Sequence, residues 1–102
     1  MRVIWLPSAE DSLNCIYDYI KTESENSAIN VYNSILDEVD RLSKFPRIGK
    51  ANSLLVGIRT LVVLKNYKAV YYIDGDIVYI VMVWDCRRNP EEFRQSIIKY
   101  LK

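Results

Sequence analysis

Residues 77–84 form an eight-residue apolar run that shows no alternation with polar residues. A strand of this composition needs cover on both faces, which places it in the interior of a sheet. The run is too short to cross a bilayer, because a membrane-spanning helix needs about 20 residues. We therefore expect a sheet that contains this strand in its interior and carries packed layers on both sides.

The remaining β-type sequence predicts further strands around this one. Strands are expected over residues 2–6, 57–65, 67–73 and 76–86. Asp74-Gly75 separates the last two, and this dipeptide is the strongest short signal for a β-hairpin. Asn66 marks the turn before them. Such close succession predicts antiparallel neighbours in the C-terminal half of the chain.

Two amphipathic helices are predicted before these strands. Helical spacing is clearest over about four turns, at Ala28, Val31, Tyr32, Ile35, Leu36, Val39 and Leu42. An earlier helix is expected to start with Ser8 as its N-cap and Asp11 in the capping-box position. Pro46 and Gly49 end the second helix. The short polar link between them predicts a helical hairpin that packs on a flat surface.

A short helix is predicted at the C-terminal end. It is expected to begin with Asn89 as its cap and Pro90 at its first position, and to present Phe93, Ile97 and Leu101 on one face. The order β-α-α-β-β-β-α predicts an α+β fold, with an antiparallel sheet, an N-terminal helical hairpin packed on one face and this short C-terminal helix. At 102 residues, half of them apolar, the whole chain is expected to be a single domain.

The cysteine and histidine content limits the chemistry. Cys15 and Cys86 lie far apart in different local patterns, and both are expected as free thiols in a reducing compartment. The chain has no histidine and no Cys-x-x-Cys pair, so a zinc site would lack ligands. Neither a metal nor a cofactor is expected. The N-terminal apolar patch is too short for a signal peptide, which predicts a cytoplasmic location.

Charge is polarised along the chain, although its net charge is only +1. Residues 1–40 carry eight acids and two bases, whereas residues 41–73 carry seven bases and no acid. These bases are Arg41, Lys44, Arg47, Lys50, Arg59, Lys65 and Lys68. Arg87 and Arg88 follow the last strand. Cations raised from a sheet can hold a polyanion or an acidic partner, so the functional surface is expected here.

Several short segments occur in a characteristic order. They are Trp5-Leu-Pro-Ser-Ala-Glu-Asp-Ser-Leu, Ile16-Tyr-Asp-Tyr-Ile, Leu42 with Phe45-Pro-Arg-Ile-Gly49, Gly57-Ile-Arg-Thr-Leu, Tyr67-Lys-Ala-Val-Tyr, and Val83-Trp-Asp-Cys-Arg-Arg-Asn-Pro. In this order and spacing, over nearly the whole length, the chain resembles the RelE/ParE superfamily of bacterial toxins from type II toxin–antitoxin modules.

The resemblance implies a compact growth inhibitor of the plasmid-stabilising kind, held by a cognate antitoxin in a hetero-oligomer. ParE-like members inhibit DNA gyrase through protein contacts, whereas RelE-like members cut mRNA on the ribosome. The N-terminal segments and the Pro-x-x-Gly after the second helix favour the ParE kind. The basic stretch and the Arg87-Arg88 pair support the alternative, a metal-independent endoribonuclease. A ParE-like chain would not be an enzyme, so the sequence leaves catalysis open.

Cleavage of RNA needs a base for the 2′-hydroxyl, cations for the phosphorane charge and an acid for the leaving oxygen. The resemblance to RelE-type toxins places Lys68 where they carry an arginine in the Tyr-Arg-x-Val-Tyr strand, and Arg87 where they carry one after the last strand. Phe93 stands at a tyrosine position and cannot move a proton. Asp85 stands where some members carry a histidine. It would act as a base only with a raised pKa, and otherwise pairs with Arg87 or Arg88.

Other candidates have a structural alternative. Arg59 either binds phosphate or an acidic partner from the concave side of the sheet, or pairs with an acid of the first helices. Lys65 is either a contact or a solvated charge at the end of a strand. Tyr67 is retained as a contact beside the basic strand. Arg87 and Arg88 point to opposite sides if the chain is extended there, so one of them faces the site.

Arg59, Lys68 and Arg87 are thus the candidate catalytic residues, expected to converge on the open side of a curled sheet whose other side is sealed by two helices. Lys65, Tyr67, Asp85, Arg88 and Phe93 are the candidate substrate- or partner-binding residues. If part of the stripe on the last helix is uncovered, it offers a groove for an antitoxin helix. An acidic antitoxin segment could also neutralise the arginines directly.

Overall fold

A computed structural model describes residues 1–53, 55–88 and 90–101, with side chains as far as residue 99. In chain order the elements are β1 (Arg2–Trp5), α1 (Pro7–Lys21), α2 (Glu25–Asp40), a 3₁₀ turn (Arg41–Ser43), β2 (Lys50–Ala51), β3 (Ile58–Val63), β4 (Tyr67–Asp74), β5 (Ile77–Asp85) and α3 (Pro90–Leu101). The described strands form one five-stranded sheet in the order β1-β5-β4-β3-β2. The α+β class, the helical hairpin and the short last helix are confirmed. The expected cap Asn89 and the side chain of Leu101 lie outside the described residues.

The sheet is mixed, because β1 runs parallel to β5. The prediction of an antiparallel sheet is therefore wrong for this strand. The side-chain pattern of a strand does not depend on whether it pairs in a parallel or an antiparallel way. Two helices also separate β1 from the other strands, so no tight turn fixes its direction. The two-residue strand β2 is also additional to the prediction, since it pairs with β3 at only two positions.

The interior position of β5 is confirmed. This strand lies between β1 and β4. Its residues 80–84 are all less than a tenth exposed, from 0% at Ile80 to 6% at Trp84. The α1–α2 hairpin covers one face of the sheet and α3 covers the other. A continuous apolar run therefore corresponds to a strand buried on both faces.

The core is divided between the two faces of the sheet. The hairpin face buries Ala9, Leu13, Ile35, Val39, Leu42, Leu61, Val63, Tyr67, Ala69, Tyr71, Val78, Ile80 and Val83. The α3 face buries Ile58, Val70, Met82, Trp84 and Ile97. A register shift opposite Val70/Tyr71 leaves Val81 unpaired in the β4–β5 ladder. This bulge reverses the alternation along β5, so Val83 and Asp85 face the hairpin together with Ile80.

The start of α1 differs from the prediction. Leu6 occupies the N-cap position and makes no side-chain hydrogen bond to the helix, and Pro7 lies in the first turn. The Ser8–Asp11 capping box is therefore wrong. Pro7 lacks an N–H and has a φ suited to a first helical position, so the helix begins two residues earlier than it would with Ser8 as its cap.

Ser8 instead bonds to the sheet. Its Oγ donates to the carbonyl oxygen of Val81 at 2.6 Å. Ser12 Oγ accepts from the backbone N–H of Val83 at 2.8 Å. Because β1 ends opposite Ile80, these two hydroxyls continue the hydrogen bonding of β5 where no strand lies beside it. One face of α1 thus takes the place that a longer β1 would occupy beside this part of β5.

Both turns of the β3–β4–β5 meander use left-handed backbone conformations. The hairpin predicted at Asp74-Gly75 is present, with Gly75 at φ 62°. The β3–β4 turn places Leu64 at φ 53° and Lys65 at φ 66°. Non-glycine residues enter this region at an energetic cost. The end of the sheet that carries this turn therefore contains local strain.

Within the described part of the chain, no helix has the length and apolar character needed to cross a membrane. Cys15 is exposed on α1, and Cys86 is partly exposed directly after β5. Both are free thiols.

Candidate functional site

The β3–β4 turn, the end of β5 and the start of α3 meet at one end of the sheet. This basic end contains most of the residues selected from the sequence, namely Lys65, Tyr67, Lys68, Asp85, Arg87, Arg88 and Phe93. Tyr67 opposes Asp85 and Lys68 opposes Trp84 across the β4–β5 ladder. Residues that are directly opposite in a ladder share a face. The basic end therefore has two sides, one toward the hairpin and one toward α3.

On the hairpin side, Arg87 is held by Asp85 and Tyr67. Its Nε lies 2.9 Å from Asp85 Oδ1 and its Nη2 lies 2.8 Å from Oδ2, which makes a bidentate pair. The backbone N–H of Arg87 donates to the same Oδ1 at 3.0 Å. Nη2 also donates to Tyr67 Oη at 3.2 Å. The guanidinium is therefore oriented by three hydrogen bonds, although its side chain is 55% exposed.

These contacts decide between the two readings of Asp85. Hydrogen bonds from Arg87 hold the pKa of Asp85 below its ordinary value, against the opposing effect of burial. Burial raises the pKa of Tyr67, and the charge of Arg87 partly opposes this. Asp85 is thus an ionised partner of Arg87, and Tyr67 keeps its proton. Neither group is poised as a base at neutral pH.

Replacing Asp85 by asparagine should lower the free energy of unfolding by about 1 kcal/mol at pH 7, because the ion pair is partly exposed. The folded-state pKa of Asp85 lies below the value of about 4 for an unfolded carboxyl, so the pair stabilises the protein above that pH. This contribution is lost as the pH falls through the folded pKa. The difference between wild type and variant should therefore shrink toward about pH 2 in urea titrations.

Glu38→Gln is the matched control, since the Glu38–Arg41 pair is exposed on both sides. Its effect should stay within about 0.5 kcal/mol. A difference for Asp85→Asn that stays constant from neutral to strongly acidic pH would show that the pair is not its source.

On the α3 side, cations lie against aromatic rings. Lys68 Nζ is 5.3 Å from the ring centroid of Phe93, and Arg88 Cζ is 4.4 Å from that of Trp84. The rings of Trp84 and Phe93 are 5.4 Å apart. Arg88 also contacts Glu92 at 3.4 Å. Phe93 thus acts as an aromatic platform for a cation, which needs no hydroxyl.

The three candidate catalytic cations do not converge. Arg59 opposes Tyr71 and faces the hairpin, whereas Lys68 faces α3. Arg87 contacts Tyr67, which lies four residues from Tyr71 along β4, or about 13 Å. The expected convergence is therefore wrong. Lys68 and Arg59 occupy positions of opposite parity in paired strands, and such side chains point to opposite faces.

Among the residues that the structure describes, no acid forms an ion pair with Arg59, which bonds to backbone carbonyls instead. Its Nη1 donates to the carbonyl oxygens of Arg47 at 3.2 Å and Gly49 at 2.8 Å. Beside it, the buried Tyr71 Oη donates to the carbonyl oxygen of Pro46 at 2.8 Å and accepts from the N–H of Gly49 at 2.9 Å. Arg59 and Tyr71 together fasten the segment that leads from the 3₁₀ turn into β2; residues 44–50, which include the first residue of β2, are here called the loop 44–50. The sequence marks this loop by its Pro-x-x-Gly but does not reveal the two side chains that hold it.

An open groove of about 760 Å³ lies between α1 and the end of β5. Ile16 and Ile20 give it apolar surface, and Arg87 and Arg88 line it together with Asp11 and Asp85. This groove is not recognisable in the sequence, because its residues come from α1, from the end of β5 and from α3 at Ser96. Its lining suits a partner segment that combines apolar and acidic side chains.

The stripe proposed for an antitoxin helix is largely covered. Ile97 is 1% exposed and packs against the sheet, as does Phe93. Phe93 and Ile97 therefore pack on the sheet and do not form an open groove on this face of α3.

Comparison with known proteins covers most of the chain. The family model "ParE toxin of type II toxin-antitoxin system, parDE" matches residues 3–90. Toxin ParE3 of Caulobacter vibrioides is 36% identical over 70 residues, which cover 64% of this chain and 69% of that protein. A solved structure described as the chromosomal ParDE TA system from P. aeruginosa has a TM-score of 0.73 and 24% identity, over 83% of this chain and 95% of that one. The structural likeness bears on the fold alone.

Proposed function

Because the chain belongs to the ParE toxin family of type II toxin–antitoxin systems, we propose that it inhibits growth by binding DNA gyrase and not by cutting RNA. The chain is a type II toxin of the ParE kind. The cytoplasm, where both gyrase and ribosomes lie, is the proposed place of action.

The separation of Arg59 from Lys68 supports this choice most directly. Cleavage of RNA through these cations would need them around one phosphate, and they lie on opposite faces of the sheet. Asp85 is engaged by Arg87 and has a lowered pKa, and Phe93 has no proton to give. Binding to a protein requires no acid–base pair, so this arrangement suits it.

The basic end is well built for protein contacts. Asp85 and Tyr67 orient Arg87 by hydrogen bonds, and the guanidinium of Arg88 packs on the ring of Trp84. Arginines and aromatic side chains are enriched among residues that dominate protein–protein affinity. Orientation in the free protein reduces the entropy lost when a partner binds.

We assign the groove between α1 and β5 to the cognate antitoxin within a toxin–antitoxin hetero-oligomer. Its apolar surface would take apolar side chains of an antitoxin segment, and acidic side chains of that segment would meet Arg87 and Arg88. This assignment rests on the lining of the groove, in which apolar side chains lie beside two cations.

Replacing Arg87 by alanine should weaken antitoxin binding about tenfold, because one oriented and partly exposed charge contact is lost. The measurement is calorimetric titration of the toxin with its cognate antitoxin. Arg94→Ala, which removes an exposed arginine of α3, is the matched control and should bind normally. Equal binding by wild type and Arg87→Ala would remove Arg87 from the antitoxin surface.

Induction of the toxin separates the two targets. We expect intact transcripts, loss of negative supercoiling in a reporter plasmid, and inhibition of purified gyrase by the purified toxin. Rapid loss of mRNA with normal plasmid supercoiling would reject the gyrase proposal and favour a ribosome-dependent endoribonuclease. An Arg59→Ala, Arg87→Ala variant that stops mRNA loss would strengthen that alternative.

A further inference from the structure

The loop 44–50 exposes both apolar and basic side chains. Phe45 is 55% exposed and Ile48 is 41% exposed. Lys44, Arg47 and Lys50 are exposed on the same short segment. Among the ion pairs of the described residues none involves these three cations, and no acid occurs between residues 41 and 73. The loop therefore presents positive charge together with apolar anchors.

Side chains of β3 and β4 hold the loop in one conformation. Tyr71 bonds to both Pro46 and Gly49, and Arg59 bonds to the carbonyl oxygens of Arg47 and Gly49. Tyr71 and Arg59 contact backbone groups of the loop, so the loop's own side chains are not used in these hydrogen bonds. A loop ordered in the free protein loses little entropy on binding, which is typical of a preformed recognition element.

The chemistry favours a protein partner over a nucleic acid. An aliphatic side chain such as Ile48 cannot stack on a base in the way that aromatic rings do, and it gains nothing beside a phosphate. An acidic protein surface with an apolar pocket would satisfy the cations and bury Phe45 and Ile48 together.

The loop is also separate from the groove assigned to the antitoxin. Tyr71, which holds the loop, lies four residues along β4 from Tyr67, which contacts Arg87 at the groove. The residues that hold the two surfaces are thus about 13 Å apart along the same strand. A target and an antitoxin segment could each have a surface of their own.

We propose that the loop 44–50 is the surface through which this toxin holds its target, and that the target presents an acidic face with an apolar pocket. The proposal rests on the proposed function, that is, on a toxin that acts by binding a protein. Arg47 supplies charge and Phe45 supplies the anchor. Arg59 and Tyr71 act only by positioning the loop.

Two loop variants and two matched controls test this surface. Arg47→Glu reverses a charge on the loop, and Lys21→Glu makes the same change at the exposed end of α1. Phe45→Ser removes an exposed apolar side chain from the loop, and Ile29→Ser does so on α2, where Ile29 is 41% exposed. Thermal unfolding of the four proteins verifies that each is folded.

The readouts are growth after induction, inhibition of gyrase supercoiling, and binding to immobilised gyrase subunits at low and moderate salt. We expect both loop variants to lose at least about tenfold in binding and inhibition, as the loss of a central anchor would. Arg47→Glu should also reduce the salt dependence, whereas Phe45→Ser should leave it unchanged. Both controls should stay close to wild type.

Loop variants that inhibit gyrase as wild type does would overturn the inference and leave the proposed function intact. So would an equal loss in the controls. If wild type leaves gyrase active, the proposed target is wrong, and growth then decides about the loop. In that case, loop variants that no longer inhibit growth, beside controls that still do, support the loop as the surface that binds the target. Loop variants that still inhibit growth reject it.

Discussion

Replacing Gly49 by alanine should lower the free energy of unfolding by about 3 kcal/mol, at the upper end of the usual cost of overpacking. A Cβ at this position would lie 2.6 Å from Cε1 and 2.9 Å from Cζ of Tyr71, and would also meet the Tyr71 hydroxyl. Tyr71 is fully buried, so its ring cannot swing into solvent. The loop 44–50 would have to move away from the sheet. Urea denaturation of wild type and variant measures the loss.

Tyr71→Phe tests the same contact from the other side. It removes the hydroxyl that bonds to Pro46 and Gly49 and leaves a buried N–H without its partner, at a cost of about 1–3 kcal/mol. In the double variant the absent hydroxyl relieves part of the clash with alanine. The combined loss should therefore be smaller than the sum of the two single losses.

Tyr72→Phe is the control for the loss of a tyrosine hydroxyl. Tyr72 lies on the α3 face, stacked on Tyr79 with ring centroids 5.2 Å apart, and should tolerate the change within about 0.5 kcal/mol. A small effect of Gly49→Ala, or strict additivity with Tyr71→Phe, would contradict the close approach of loop and ring.

The double replacement Ser8→Ala, Ser12→Ala should lower the free energy of unfolding by about 2–4 kcal/mol. Ser12 Oγ accepts the hydrogen bond of the Val83 N–H at 2.8 Å on this edge, and Val83 is only 3% exposed. Ser8 serves the carbonyl oxygen of the fully buried Val81. Alanine has a high helix propensity, but it leaves the Val83 N–H and the Val81 carbonyl oxygen without these hydrogen bonds.

Thermal unfolding should show this loss as a decrease of about 10 °C or more in Tm, given about 4–8 °C per kcal/mol for a domain of this size. Hydrogen exchange provides a local readout, because the amide of Val83 should exchange faster in Ser12→Ala. Ser27→Ala removes an exposed serine side chain from α2 and should change the stability within about 0.5 kcal/mol. Unchanged exchange at Val83 would mean that Ser12 does not support this edge.

Most of the basic end could be predicted from the sequence. Tyr67 and Lys68 start a strand that is joined to β5 by a recognisable hairpin, so the start of one strand returns beside the end of the other. This pairing brings Asp85, Arg87 and Arg88 to the same place. The pairing of Asp85 with Arg87 was one of two readings, and the distances between them select it.

Arg59 and Ser8 show where local patterns mislead. Arg59 lies in the basic stretch where a functional residue is expected. Its guanidinium instead bonds to two backbone carbonyls of a loop that comes ten or more residues earlier in the chain. Ser8 has the position of a helix cap, yet its hydroxyl bonds to a strand that is distant in sequence. In both cases the side chain bonds to a partner that is distant in the chain and not to a local one. Hydrophobic periodicity in the sequence does not indicate which distant residue this partner is.

The sequence by itself determined the α+β class, the helical hairpin, the burial of β5 and the concentration of positive charge in its second half, because side-chain periodicity and composition act locally. The tertiary structure decided the direction of β1, the face on which each cation lies, the groove along α1 and the fastening of the loop 44–50. These depend on strand register and on one bulge at Val81. A shift of one residue in register exchanges the two faces of a strand without any change in its pattern, so only the folded sheet could separate Lys68 from Arg59.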